Sequence, residues 1–502
     1  MMGRDGVGAM SLAHKAARGA LWAIVTSIGG RIIGVLGTLI MTRFIEPDVV
    51  GEVSDASILC LTTSWLTTWG FGQYAVLKGR GADKDEVTFH ALVAYLGLGL
   101  LGLGLLMLFG GRLLPLFAAP HAAIYLPGLV IAMVIRRFAM MPERVLLRDM
   151  KFRASGLGLF FGEASYTVGT LSFAVLGHGG MSVVYGNIIQ SSVLVLIMVQ
   201  AAGLRSWWTP TRLRWSRFVA MSRFGIPIMI TGVAHGASRY WDNLTVSRLF
   251  GPAATGTYNM AYNLADIPAI QVGEQIALVL LPSMAALPPE QRPAAAERSS
   301  ALLSLILFPL AVGLGLVAYP LIAIVLPATK WQEVAPLLTV LTSLSVFRPF
   351  VFVLGSYMEA QQRTGRLMWL EIGKLGVLIG SIIALSPLGL RVASGAVGVS
   401  FGATALIAAI IVSREGLSLR KLVIGFIQPL LACGVMAVAV GATSLGLDAA
   451  GLTHPAVHLI AESLLGGLAY VGGALVFAPA SSRDLLSLLR RVIARRRHRD
   501  DD

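Results

Sequence analysis

The chain is poor in charged residues and in cysteine. Only 13% of its 502 residues are Asp, Glu, Lys or Arg, whereas 56% are hydrophobic, and the mean hydropathy is +0.75. These values lie outside the range of soluble globular domains. The two cysteines, Cys60 and Cys433, both lie in apolar runs, which excludes a disulfide framework and a cysteine metal site. The composition therefore predicts a polytopic membrane protein.

Patterns typical of enzymes are also missing. The eight histidines are scattered, the Ser, Asp and His residues fall in unrelated loops, and the Gly-rich run at 97–106 lacks the context of a nucleotide-binding motif. No loop exceeds about 20 residues, so there is no room for a nucleotide-binding domain. We expect no catalytic residues, no metal, no cofactor and no nucleic acid partner. The net charge of +14 is better explained by orientation in a bilayer.

Long hydrophobic runs dominate what is present. Runs of roughly 20 residues, the length that crosses the hydrocarbon of a bilayer, occur fourteen times. Their approximate limits are 20–42, 53–76, 88–110, 118–140, 155–177, 180–203, 218–241, 254–285, 300–326, 333–357, 367–387, 391–413, 421–443 and 455–479. The predicted fold class is an all-α polytopic membrane protein with about 14 transmembrane helices.

The distribution of Lys and Arg predicts the orientation of these spans. An even number of spans places both termini on one side, and the tails and loops of that side hold 30 Lys and Arg residues against 5 in the opposite loops. Loops rich in Lys and Arg stay in the cytoplasm. The basic N-terminal segment has no short cleavable apolar core, so we expect a retained tail. The chain is predicted to lie in the bacterial inner (plasma) membrane with both termini cytoplasmic.

One short phrase occurs twice. TRFIEPDVVG at 42–51 and SRLFGPAATG at 247–256 superpose their Arg, Pro and Gly after a shift of 205 residues. Pro favours the start of a helix, and Gly lets helices approach closely. Six predicted spans separate the copies, so both face the outer side. Two interpretations remain, independent helix starts or outer hinges of two parallel lobes, and the predicted hinge residues are Pro47, Gly51, Pro252 and Gly256.

The repeat also predicts the domain limits. Transporters that alternate access are often built from such internal repeats. The expected segments are a cytoplasmic N-tail (1–19), an N-terminal six-helix lobe (20–203), a cytoplasmic linker (204–217), a C-terminal six-helix lobe (218–413), two additional helices (421–479) and a basic cytoplasmic tail (480–502).

Three arginines within or at the edges of spans are candidates for substrate binding. A charge in the hydrocarbon costs a few kcal/mol unless it faces water or a partner. Arginine suits a diphosphate because its planar group donates two hydrogen bonds while staying charged. The candidates are Arg31 near the middle of the first span, Arg239 about one turn from the outer end of the seventh, and Arg348 in the tenth. The structural alternatives are an ion pair of Arg31 with Asp55 or Glu163, an ion pair of Arg239 with Asp242, and a Pro-kinked interfacial segment around Arg348.

Three carboxylates in the predicted spans are candidates for coupling transport to H⁺ or Na⁺. They are Glu163, Asp266 and Glu274. Intramembrane carboxylates are the usual carriers of coupled ions, and Pro268, two residues after Asp266, frees backbone carbonyls that could bind a cation. The alternative for each is helix packing against an arginine. Glu371 and Lys374, spaced i and i+3, are expected to pair with each other.

The quoted motifs support a family resemblance. LIMTRFIEPDVVGEVSDASIL, its echo VSRLFGPAATGTYNMAYNLADIPAI, and MPERVLLRDMKFRA between the fourth and fifth spans resemble the oligosaccharide and polysaccharide flippase family. That family belongs to the multidrug, oligosaccharidyl-lipid and polysaccharide exporter superfamily. The resemblance, over about residues 20–480, implies two six-span lobes and movement of polyprenyl-diphosphate-linked glycan repeat units to the outer leaflet. It also implies use of the glycan in lipopolysaccharide, capsule or exopolysaccharide, with a polysaccharide polymerase and export machinery as partners.

Two other functions compete with this one. A multidrug exporter of the same superfamily handles cations and would favour carboxylates in the cavity of its N-terminal lobe, whereas Arg31 favours an anionic substrate. A membrane enzyme that polymerises or ligates lipid-linked glycans usually carries a large outer loop. The longest outer loop here is about ten residues.

Overall fold

The computed structural model describes residues 29–79, 81–327, 329–487 and 490. Across these residues the chain is helical and has no β-strand, so the predicted all-α fold is confirmed. The chain divides into two compact units, Met1–Gly256 and Thr257–Asp502. The predicted N-tail and the last twelve residues of the predicted C-tail lie outside the described residues.

In unit 1 the chain forms long helices joined by short turns. They are α1 (Gly29–Met41), α2 (Pro47–Leu66), α3 (Phe71–Lys78), α4 (Lys84–Leu113), α5 (Leu126–Arg148), α6 (Phe152–Val175), α7 (Met181–Ala202) and α8 (Trp215–Phe250). A core of apolar side chains from α2, α4, α5 and α7 holds this unit together.

Unit 2 is also built of α-helices joined by turns. Its elements are α9 (Pro252–Ala265, whose first five residues belong to unit 1), a π-helical segment (Ala269–Glu274), α10 (Gln275–Ala286), α11 (Arg292–Leu316), α12 (Ala318–Val325), α13 (Val334–Ser343), α14 (Arg348–Ala360), α15 (Thr364–Leu385), α16 (Leu390–Ser394), α17 (Ala396–Ser413), α18 (Leu419–Ala449) and α19 (Pro455–Phe477). Its core lies around Phe308, Phe350 and Tyr357 on α11 and α14.

Each of the fourteen predicted segments overlaps helix in the structure. Nine helices within the described residues are long and apolar enough to cross a membrane. This confirms a polytopic membrane protein, while the number fourteen stays a prediction. The remaining segments are interrupted or carry charges, as in the second, which is broken between α2 and α3 where Trp69 and Gly70 take φ values of 42° and 59°.

Two predicted spans are displaced in the structure. The fourth, expected at 118–140, is α5 and runs from Leu126 to Arg148, because a short 3₁₀ turn (Pro120–Ile124) precedes it. The seventh, expected to end near residue 241, continues in α8 to Phe250. No helix-breaking residue occurs there before Gly251, whose φ of 85° suits glycine and ends the helix.

One unusual turn occurs at the same place in both halves of the chain. After α5 the N–H of Lys151 bonds to the Leu146 carbonyl at 2.8 Å, and Met150 has φ 59°. After α14 the N–H of Arg363 bonds to the Met358 carbonyl at 2.9 Å, and Gln362 has φ 58°. Both are helix C-terminal turns of the Schellman type, with a residue other than glycine in the left-handed region. They follow the fourth and the tenth predicted spans, which agrees with a six-span repeat.

Candidate functional site

Two of the 30 basic residues counted on the predicted cytoplasmic side lie in the middle of a helix. Arg136 and Arg137 are the eleventh and twelfth of the 23 residues of α5. Sequence reasoning missed them because the span was placed at 118–140, which made the pair its end. The sequence signal that could have placed the helix further along the chain is the spacing of Arg137, Arg144 and Arg148. Residues seven and four positions apart share one face of a helix. Removing Arg136 and Arg137 lowers the cytoplasmic count from 30 to 28, so the charge asymmetry remains.

Arg137 joins three helices of unit 1. Its side chain is almost completely buried, with 2% of the residue exposed. Its guanidinium donates to the Thr67 hydroxyl and to the Tyr95 carbonyl (3.4 Å), and it lies 4.7 Å from the centre of the Tyr95 ring. Gly99 leaves the space for it, because a Cβ there would overlap the guanidinium. We conclude that Arg137 has a structural role.

The same face of α5 also holds the short helix α3. Arg144 packs against Gly72, where a Cβ would crowd its side chain. Arg148 donates from Nη1 to the Gly79 carbonyl (3.3 Å) and to the Thr88 hydroxyl (3.1 Å). A cation at the carbonyl end of a helix is favourable. Arg144 and Arg148 therefore hold the segment that follows the break in the second span, while Arg137 on the same face of α5 holds Thr67, which precedes the break.

A cluster of polar groups in unit 1 contains two of the predicted site residues. Glu163 on α6 accepts a hydrogen bond from Gln190 Nε2 on α7 at 3.0 Å. Arg136 and Arg31 both interact electrostatically with this carboxylate. A Cβ added at Gly34 would lie 3.5 Å from Glu163 Oε2, so α1 passes close to α6. Arg31 is half-buried and Arg136 is exposed. The structure thus brings the substrate candidate Arg31 and the coupling candidate Glu163 together.

Arg239 lies further from a helix end than the sequence predicts. It is the 25th of the 36 residues of α8, because that helix extends beyond the predicted seventh span. Its guanidinium lies 5.9 Å from the centre of the Tyr240 ring. Asp242, its predicted partner, is fully buried and accepts a hydrogen bond from the backbone N–H of Asn243 at 2.9 Å.

In unit 2, a substrate candidate and a coupling candidate form an ion pair. Arg348, at the start of α14, contacts the carboxylate of Asp266, and both residues are buried. Arg348 also donates to the Tyr262 hydroxyl (3.3 Å) and lies 4.7 Å from the centre of the Phe401 ring. Asp266 lies three residues before the first residue of the π-helical segment, where the hydrogen-bond ladder of the helix changes. A cation that binds Asp266 must therefore compete with Arg348.

A second pair of charges lies beside the first. Lys374 Nζ is 2.7 Å from Glu371 Oε2, which confirms the predicted i and i+3 pairing. The ammonium of Lys374 lies 5.2 Å from the centre of the Phe401 ring, the same ring that Arg348 contacts. Cations and aromatic faces attract one another. The third coupling candidate, Glu274, ends the π-helical segment, and its side chain lies outside the described part of the structure.

The two copies of the duplicated phrase contact each other. A Cβ added at Gly51 would overlap the Pro252 carbonyl oxygen, and one at Gly256 would overlap the Pro47 carbonyl oxygen. Pro47 begins α2 and Pro252 begins α9, as predicted. Glycine is required at both positions for this approach. The predicted hinge residues therefore form one symmetric contact, while their movement stays a prediction.

This contact continues as a seam between α2 and α8, both in unit 1. The pairs along the seam are Asp55 with Ser247 (Oγ to Oδ2, 2.5 Å), Thr62 with Trp241 (Nε1 to Oγ1, 3.0 Å), Trp65 with Gly236, and Trp69 with Gly225. Asp55 is fully buried, and its second oxygen, Oδ1, has no hydrogen-bond partner in the described structure. Asp55, one of the predicted partners of Arg31, therefore accepts a hydrogen bond from Ser247, the first residue of the second copy of the phrase.

Among the residues that the structure describes, no group of three or more His, Cys, Asp or Glu side chains is placed to hold a metal ion.

Comparisons with known proteins agree on one class. The model of a family described as "Polysaccharide biosynthesis protein" matches residues 40–336, more than half of the chain. The lipopolysaccharide biosynthesis protein WzxC of Escherichia coli K12 is 20% identical over 398 residues, which cover 78% of each chain. The succinoglycan biosynthesis transport protein ExoT of Rhizobium meliloti is 24% identical over 354 residues, which cover 68% of this chain and 70% of ExoT.

Solved structures share the fold. The lipid II flippase MurJ in an inward closed conformation superposes with a TM-score of 0.73 at 15% identity, over 92% of this chain and all of MurJ. An inward-facing multidrug resistance transporter of the MATE family superposes with a TM-score of 0.62 at 16% identity, over 80% of this chain and 98% of the transporter. At these identities the matches establish the fold alone.

Proposed function

The chain belongs to the family of polysaccharide biosynthesis proteins, and on this premise we propose that it is a flippase for lipid-linked glycans. It moves polyprenyl-diphosphate-linked repeat units from the inner to the outer leaflet of the bacterial inner membrane. The relatives support this, since WzxC is named for lipopolysaccharide biosynthesis and ExoT for succinoglycan transport. Which polysaccharide receives the glycan depends on the polymerase and export machinery that act after it.

The observation that carries the proposal is that two arginines from different helices of unit 1 approach the same half-buried polar group. Arg31 and Arg136 both interact electrostatically with the carboxylate of Glu163. That carboxylate is already bonded to Gln190. Guanidinium groups on two helices of the same unit supply planar, permanently charged hydrogen-bond donors, which suit an anionic substrate such as a diphosphate. Arg239 and Arg348 are the remaining substrate-binding candidates.

The same charges argue against the multidrug alternative. An exporter of organic cations needs a carboxylate that is free to bind its substrate, whereas Glu163 interacts with two arginines. In unit 2, Asp266 is paired with Arg348. We therefore propose that these charged residues act mainly in binding an anion. Coupling to H⁺ or Na⁺, for which Glu163, Asp266 and Glu274 are the candidates, is secondary. The chain acts as a transporter and not as a glycan polymerase or ligase.

The contact between the two copies of the phrase supplies the moving part. With both termini in the cytoplasm, Pro47, Gly51, Pro252 and Gly256 lie at the outer ends of their helices. Transport by alternating access requires this outer contact to open. The buried hydrogen bond between Asp55 and Ser247 lies directly beneath it and opens with it.

Reconstitution tests the function directly. The purified protein is placed in liposomes that contain a fluorescent polyprenyl-diphosphate-linked oligosaccharide, and a membrane-impermeant quencher reports the fraction in the outer leaflet. We expect the protein to accelerate exchange of the lipid-linked oligosaccharide between the leaflets. Exchange of a fluorescent phospholipid with a neutral headgroup should not be accelerated. Exchange no faster than in protein-free liposomes would refute the proposal. Uptake of the cation ethidium without exchange of the lipid-linked oligosaccharide would favour the multidrug alternative.

A further inference from the structure

The linker between α7 and α8 has an unusual composition. Residues 204–217 hold four arginines and three of the nine tryptophans of the chain, and no Asp or Glu occurs between residues 164 and 241. The two helices that the linker joins are both long and apolar enough to cross a membrane, so the linker lies at the surface of the bilayer. Arginine is enriched in cytoplasmic loops, and tryptophan is enriched at the headgroup level. The composition is therefore typical of a segment that contacts headgroups.

One side of the linker is fixed against unit 1. The Trp207 side chain is buried and packs in a cluster of apolar residues that includes Phe71. The backbone N–H of Arg214 donates to Nε2 of His90 on α4 at 2.8 Å. Nδ1 of the same ring lies 2.7 Å from the Glu86 carbonyl oxygen, so Nδ1 carries the proton and Nε2 is the acceptor. The linker therefore has a defined orientation on α4.

The carboxylates that face the linker offset only part of its charge. The ion pairs are Arg217 with Asp83 (2.9 Å), Arg217 with Glu86 (3.3 Å) and Arg214 with Glu86 (3.6 Å). Residues 83–86 read Asp, Lys, Asp, Glu and carry a net charge of −2, against +4 for the linker. Arg205 and Arg212 are exposed, and neither forms an ion pair within the part of the chain that the structure describes. These two arginines carry the remaining charge.

The outward side of the linker also exposes large apolar side chains. Trp215 is 75% exposed and Leu213 is 60% exposed. Together with the two arginines they form a patch, here called the linker surface, of six residues: Leu204, Arg205, Trp208, Arg212, Leu213 and Trp215. Leaving such apolar area in water is unfavourable. At the headgroup level the rings are partly covered by lipid while the guanidinium groups can bind phosphates.

We propose that the linker surface binds anionic phospholipids of the leaflet on the predicted cytoplasmic side, with its tryptophans at the headgroup level and Arg205 and Arg212 on the phosphates. Anionic headgroups complement the two charges that α4 leaves unbalanced, and arginines near an anionic leaflet are attracted to it. A free anion would leave the apolar side chains in water. The inference goes beyond the proposed function, because it concerns the surrounding phospholipid and not the transported glycan.

Lipid binding to the purified full-length protein in detergent tests this surface. Native mass spectrometry counts the bound molecules while phosphatidylglycerol or phosphatidylcholine is titrated. Each arginine near an anionic headgroup contributes on the order of a fivefold change in affinity. The double variant Arg205→Gln and Arg212→Gln should therefore weaken the tightest phosphatidylglycerol binding about 25-fold. Binding of phosphatidylcholine should not change.

A matched control removes two arginines from unit 2. Arg414 and Arg420 are also exposed and lie on the predicted cytoplasmic side, around the turn between α17 and α18. Arg414→Gln with Arg420→Gln changes the net charge by the same amount and should leave the tightest phosphatidylglycerol binding unchanged. The unfolding midpoint without added lipid shows whether each double variant is folded. Equal losses in the two double variants would overturn the site, because net charge alone would then explain them.

A fluorescent label measures the depth of the linker surface in a bilayer. Leu213→Cys, combined with Cys60→Ser and Cys433→Ser, is labelled with bimane, and the protein is placed in liposomes that contain phosphatidylglycerol. A nitroxide on the lipid headgroup should quench the label more strongly than a nitroxide at the end of the acyl chain. Absence of quenching by both, or stronger quenching from the acyl chain, would contradict a position at the headgroup level.

A third titration distinguishes phospholipid from the transported lipid. If binding of a short-chain polyprenyl diphosphate depends on Arg205 and Arg212, and that of phosphatidylglycerol does not, the surface binds substrate and the assignment to phospholipid is overturned. Wild-type protein that binds phosphatidylglycerol through these arginines but moves no glycan in liposomes would refute the proposed function and leave the linker surface standing.

Discussion

Individual arginines in this protein have different surroundings, and the surroundings separate their roles. Arg137 is buried among hydrogen-bond acceptors and the Tyr95 ring, so its charge is used in packing. Arg348 is neutralised by Asp266. Arg31 and Arg136 share one carboxylate and are not completely buried. These two are the arginines that we propose to bind the diphosphate, because their guanidinium groups are accessible and stay charged.

The first prediction concerns Arg31. Arg31→Ala and Arg31→Glu should abolish surface polysaccharide, while Arg31→Lys should restore part of it, because the charge survives without the planar donor group. Surface polysaccharide is measured together with the amount of protein in the membrane. Normal polysaccharide from Arg31→Ala would exclude the role in binding. Loss of the protein itself would favour a structural pair with Glu163.

A second prediction concerns the buried pair of Arg348 and Asp266. Asp266→Asn should lower the free energy of unfolding by about 3–5 kcal/mol, since it leaves a buried guanidinium without its counter-charge. Adding Arg348→Gln should recover a large part of this loss. The measurement is thermal unfolding of the two single variants and the double variant in detergent. Losses that simply add in the double variant would show that the pair is not coupled.

Local signals predicted the helix starts, but not the contacts between helices. Pro47 and Pro252 begin their helices as expected, because proline lacks the N–H that a first turn leaves unused. The predicted limits of the fourth span were wrong, because Arg136 and Arg137 resemble loop residues in the sequence. In the structure the helix continues past them and ends at the Schellman turn around Met150. The Arg348–Asp266 pair joins residues 82 positions apart, and periodicity within one helix carries no information about such a contact.

The packing of α5 leads to a third prediction. Arg137→Ala removes the hydrogen bonds to Thr67 and Tyr95 and leaves a void beside Gly99, so it should destabilise the protein by about 2–4 kcal/mol. The matched control is Arg112→Ala on the exposed end of α4, which should change stability by about 0.5 kcal/mol or less. The midpoint of thermal unfolding of each variant gives the comparison. Equal effects of the two substitutions would contradict the structural role of Arg137.

The duplicated phrase links the sequence repeat to the architecture of the whole chain. Its copies are 205 residues apart, yet Gly51 and Gly256 each meet the carbonyl of the other copy's proline. The turns at Met150 and Gln362 follow the fourth and the tenth predicted spans, so they too are six spans apart, on the predicted cytoplasmic side. A gene duplication explains the similarity of the turns. The contact between the two copies is a finding of the structure, whereas its role as an outer gate stays a prediction.

The last prediction tests that gating role. Cysteines at Glu46 and Ala253 flank the two prolines, in a background with Cys60→Ser and Cys433→Ser. Ala253 is preferred to Gly251, because the φ of 85° at Gly251 would strain a cysteine. A short bifunctional reagent should join the pair when the outer side is closed, and the joined protein should no longer export glycan. Cleaving a reducible version of the reagent should restore export.

The controls are the two single-cysteine variants. They should keep full activity after the same treatment, because one cysteine cannot join α2 to the other copy of the phrase. Crosslinking that leaves export intact, or that fails in every state, would mean that the contact is a fixed packing surface and that the outer opening lies elsewhere.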